Sequence, residues 1–148
     1  MTHYKEDQLT MKKFRNWVTF AVVLAMVLSL AVGVSANSSS VMDGHYGTIS
    51  GTSYQNSTSP ATFYTSSRMS KNPDSARFVI DVDYNDGENY LTALSQRSSC
   101  GITSFTYTFP IYFTFDAIPN MAYVSHCVQD GTKYASKATY TSAPLTIN

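Results

Sequence analysis

Between Ala76 and Leu94 the chain alternates with a period of two. Phe78, Ile80, Val82 and Tyr84 interleave with Arg77, Val79, Asp81 and Asp83. Only an extended strand puts every second residue on one side, so this pattern demands a sheet with one face turned to a core. Asn85-Asp-Gly-Glu88 follows with residues that tolerate a tight turn, and Tyr90 to Ser95 returns as the partner strand.

The same grammar recurs. Ala122–Val128 leads into Gln129-Asp-Gly-Thr132, and Lys133–Tyr140 comes back, with Tyr134, Ser136, Ala138 and Tyr140 on one face and Lys133 and Lys137 on the solvated one. Between the hairpins, Phe105, Tyr107 and Phe109 share a face. Pro110 has no N–H for a ladder and marks an edge, bulge or break. Ile111, Phe113 and Phe115 resume the alternation as further core candidates. Upstream, His45–Ser50 and Ala61–Arg68 read as strands around a Ser/Asn/Thr-rich loop, 51–60, and Lys71–Asp74 reads as a turn around Pro73. Tyr and Thr suit a pleated, half-buried surface, and Ser disfavours helix interiors. The expectation is an all-β domain over 45–148, a small antiparallel β-sandwich or barrel of about seven strands.

An N-terminal signal helix is expected ahead of it. Residues 17–34 are uncharged and apolar, the basic cluster 12–15 precedes them, and Val34-Ser35-Ala36 offers small residues for cleavage between Ala36 and Asn37. These are the three parts of a secretory signal, assigning 1–36 to it. An uncleaved anchor is the alternative, since about 18 apolar residues approach the spanning minimum. Met1 and Met11 are both open as the start, with Met11, directly before the basic cluster, preferred. Residues 37–44 read as a flexible tether. The localisation expected is secreted or extracellular, periplasmic or membrane-tethered if the signal stays.

Beyond Ala36 the chain holds eight acids and six bases, a formal charge of −2. Phosphate backbones require clustered Lys and Arg, so nucleic acid is not an expected partner. A membrane is expected as partner only through an uncleaved signal segment. Cys100 and Cys127 are the chain's two cysteines. In an exported protein they would most simply form one disulfide.

Hard cations take several carboxylate and carbonyl oxygens, which makes Asp81, Asp83, Asn85, Asp86 and Glu88 the metal candidates and calcium the only cofactor considered. Their opening is similar to the D-x-D-x-N start of an EF-hand loop, but Asp86 fills the glycine position and Thr92 the place of the bidentate Glu. An acidic face beside a hairpin turn is the simpler account of them and is preferred to calcium. His126 and Cys127 are adjacent and so point to opposite faces, which spoils a Cys–His pair. No G-x-S-x-G elbow or phosphate-binding loop occurs. Tyr112, Tyr123 and His126 are the candidate binding residues, because an aromatic ring with a polar tip suits interfaces. The functional expectation is a non-enzymatic secreted β-domain that binds a cell-surface component, an extracellular polymer or a protein. A bacteriocin-like antagonist and a small secreted hydrolase are the alternatives.

Overall fold

The period-2 segment and its return form a hairpin, and six further strands complete the fold. The computed structural model describes residues 36–71 and 73–148. The strands are β1 (Asn37–Asp43), β2 (Gly47–Thr58), β3 (Ala61–Met69), β4 (Arg77–Asn85), β5 (Tyr90–Arg97), β6 (Ser104–Pro110), β7 (Met121–Gln129) and β8 (Lys137–Pro144). They build two four-stranded antiparallel sheets, β1-β2-β3-β6 and β5-β4-β7-β8, packed as a sandwich. The signal segment expected over 1–36 falls, apart from Ala36, outside the described residues.

The turn of the β4–β5 hairpin shows why those residues stand there. Gly87 has φ +96°, a backbone region closed to most side chains. Asp86 accepts the backbone N–H groups of Glu88 and Asn89, and Asn85 accepts that of Gly87. Inward, Phe78, Ile80, Val82 and Tyr84 are all buried.

The core has two apolar clusters. One gathers Phe63, Ile80, Val82, Tyr84, Phe109 and Val124 among others, and the second gathers Tyr46, Ile49, Met69, Ala76, Phe78 and Val128. Between the clusters the inward residues of β2, β3, β7 and edge strand β8 are small or polar, namely Gly51 and Ser53 on β2, Thr65 and Ser67 on β3, His126 on β7, and Thr139 and Thr141 on β8, while β4 stays apolar. A hydroxyl-and-imidazole layer therefore crosses the sandwich. Among the described residues no buried side-chain nitrogen or oxygen lacks a partner, so the layer carries little desolvation cost.

Four sequence expectations change here. Residues 37–43, read as a tether, form edge strand β1, in register with β2 from Asn37↔Ser53 to Asp43↔Gly47. Asn37 Nδ2 donates to the Ser142 carbonyl at 2.6 Å, and the Ser39 and Thr139 hydroxyls share a bond of 2.7 Å. The 51–60 loop is mostly the far half of β2. After Pro110, which ends edge strand β6, only Ile111 of the three alternating residues is buried, and Phe115 is 95% exposed in a loop closed by a Thr114↔Ala117 bridge. On β8 the inward residues are Thr139, Thr141 and Ala143, so Tyr140 faces solvent, because the hydroxyls are required by the polar layer.

Candidate functional site

The residues singled out from sequence do not converge. His126 is wholly buried, with Nδ1 2.8 Å from Ser67 Oγ and Nε2 2.9 Å from Thr141 Oγ1. Burial pushes its pKa down to about 4, so the ring is neutral and acts as a core spacer. Tyr112 is exposed in the loop after β6, whereas Tyr123 is exposed on the outer face of β7. Asp81 and Asp83 lie on the outer face of β4, beside Ser95 and Ser125, and Ala93 and Tyr123, respectively. Asp86 is engaged by the amides of its own turn, which hold its carboxyl below the usual range. Asn85 Oδ1 is likewise used by the turn, and Glu88 sits exposed within it. Among the described residues no three His, Cys, Asp or Glu side chains group as metal ligands.

The disulfide expected between Cys100 and Cys127 is absent; both are free thiols. The 98–101 loop runs along one side of β4, where Ser98 and Gly101 donate to the Phe78 and Ala76 carbonyls. Cys127 is on β7, along the other side, in register with Val79. Two strand spacings, about 9.5 Å, separate the positions, and a disulfide needs Cα atoms within about 7 Å. Burial raises the Cys127 thiol pKa, with Asp81 adding to the effect.

One titratable cluster lies at an end of the sandwich. Asp130, buried, accepts from Ser75 and lies 2.5 Å from His45 Nε2, and His45 stacks on Tyr134. The Ser75 hydroxyl first, and His45 second, lower the Asp130 pKa. The carboxylate stands between serine and imidazole, so the imidazole has no contact with Ser75 Oγ and the base that does is a carboxylate made weaker by its lowered pKa; the trio ties three loops together instead of activating a nucleophile.

The outer face of the β1-β2-β3-β6 sheet is different in kind. Register aligns its side chains in rows across all four strands. Ser38, Thr52, Ser66 and Thr106 form one row, and Ser40, Ser50, Arg68 and Ser104 form the next. A third row brings together Tyr54, Tyr64 and Thr108, with the two tyrosine rings stacked at 4.7 Å between centroids. Two shallow grooves of about 360 and 440 Å³ cross this face and share Arg68 and Ser104 in their linings. The alternation that buries Ile49, Phe63 and Met69 necessarily turns these hydroxyls outward. Sequence reasoning missed the face: each Ser or Thr alone is an ordinary solvent-side residue, and only cross-strand register gathers them.

Comparison with protein-family models, with curated proteins and with solved structures gives no match.

Proposed function

We propose that this chain is a non-enzymatic extracellular binding module, and that the outer face of the β1-β2-β3-β6 sheet takes a polyhydroxylated polymer, a glycan. The aligned hydroxyl rows carry this reading. A sugar hydroxyl both donates and accepts, and a Ser or Thr hydroxyl does the same, rotating its proton to suit. A rigid sheet presents such groups at strand spacing without ordering a loop, which limits the entropy lost on binding. The Tyr54–Tyr64 stack adds an aromatic edge with polar tips beside the rows. Export through residues 11–36 belongs to the same proposal, since it would deliver the module to extracellular polymers. The hydrolase alternative has no anchor in this arrangement: His126 is inside the core and Asp81 and Asp83 lie on the outer face of the opposite sheet.

The test is co-sedimentation of the purified chain with insoluble cellulose, chitin, xylan and pectin. At least one polymer should retain it, and Tyr54→Ala and Tyr64→Ala should each weaken retention by about tenfold, the equivalent of one aromatic contact. Absence of retention on the whole panel, or variants that bind like the parent, would overturn the reading.

A further inference from the structure

Resting on that reading, we infer that the face selects glycans bearing an anionic substituent, carboxylate or sulfate, and that Arg68 is the selecting residue. Arg68 projects from β3 in the row Ser40–Ser50–Arg68–Ser104, and both grooves run past it. It is exposed, and among the described residues no carboxylate pairs with it, the one ion pair there being His45–Asp130. The acids lie elsewhere. Asp81 and Asp83 sit on the opposite sheet, Asp86 and Glu88 in the β4–β5 turn, Asp43 and Asp130 around His45, Asp74 in the connection from β3 to β4, and Asp116 in the loop after β6.

Within the described residues, the outward positions of β1, β2, β3 and β6 thus hold a guanidinium and no carboxylate. The neighbouring cation Lys71 is engaged with the Gly44 carbonyl at 2.5 Å. An unpaired guanidinium offers five N–H donors in a planar fork that matches a carboxylate or sulfate on two oxygens. Its row neighbours Ser50 and Ser104 stand one strand spacing away on either side, within reach of the hydroxyls of the same sugar unit. A neutral glycan would use the hydroxyl rows and leave the guanidinium in water. An acidic one would use both, and the charge supplies the difference.

Retardation in gels containing polygalacturonate, dextran sulfate or neutral dextran tests this directly, with the full exported chain. Retardation by the carboxylated polymer, the sulfated polymer or both should exceed that by dextran at least tenfold, and should weaken as salt screens the pair. The response to the two charged polymers names the substituent. Arg68→Gln should abolish the preference, Arg68→Lys should keep only part of it, and Arg97→Gln, on the other sheet, should leave it intact. Unfolding midpoints of the variants should match the parent, because Arg68 is exposed. Equal retardation by all three polymers, or a charge preference that survives Arg68→Gln, would overturn the assignment while leaving glycan binding in place. A chain retarded by none of these and retained by none of the insoluble glycans would remove both.

Discussion

A Cβ added at Gly51 would land on the imidazole of His126, 2.6 Å from Nε2 and nearer still to the ring carbons. Gly51 and His126 are therefore one packing unit: the missing side chain on β2 is the space the ring occupies. The ring in turn joins Ser67 on β3 to Thr141 on β8, and Thr141 shares a 2.6 Å bond with Ser53 on β2. Gly51→Ala should cost about 1–3 kcal/mol, the usual range for an overpacked core. In Gly51→Ala/His126→Ala the new methyl no longer meets a ring, so the double variant should be more stable than the sum of the single changes predicts. Urea unfolding of the four proteins measures the coupling. Strict additivity would mean that the two residues do not compete for one volume.

Strand β1 joins the two sheets at their edge, through Asn37 to Ser142 and through Ser39 to Thr139. Ser39→Ala should destabilise the fold by about 1 kcal/mol, since it leaves the buried Thr139 hydroxyl short of a partner. A tether would register no change in thermal unfolding. The contrast between β2 and β4 shows what was legible beforehand. In β4 the inner face is Phe78, Ile80, Val82 and Tyr84, so hydrophobicity alone reports the pleat. In β2 the inner positions past Ile49 are Gly51 and Ser53, and the outer ones are Ser50 and Thr52, so the alternation disappears just where the strand enters the polar layer. The same layer reversed the reading of β8, where Thr139 and Thr141 go inward and Tyr140 outward. Tyr112 and Tyr123 read as exposed aromatics and are exposed, but they stand on separate elements; a site needs partners, and partners across four strands depend on register that no local pattern contains.

At the scale of the whole molecule, two buried titratable groups set how the sandwich responds to acid. His126 binds its proton at about 4 when folded and near the ordinary value of 6.5 when unfolded. Between those values the unfolded chain holds the extra proton, so stability is full above about pH 6.5 and falls as pH drops towards 4, by roughly 3 kcal/mol in all. Asp130 acts in a lower window. Its pKa is depressed by Ser75 and then by His45, so its contribution is present above the ordinary carboxylate value of 3.8 and is lost as pH falls through the folded value. The proposed binding face is insensitive over the upper window, because among the described residues its outward positions hold no carboxylate or imidazole and its hydroxyls do not titrate there. Between pH 7 and 4.5 the midpoint of urea unfolding should therefore fall, while the affinity of still-folded protein for an acidic glycan stays level. His126→Gln should be less stable at pH 7, having lost its fit in the layer, yet show a flat profile down to pH 4.5. Asp130→Asn should retain the parent's slope in that range. A parent midpoint unchanged from pH 7 to 4.5 would show that the histidine takes up its proton inside the fold, and the buried, neutral spacer would no longer describe it.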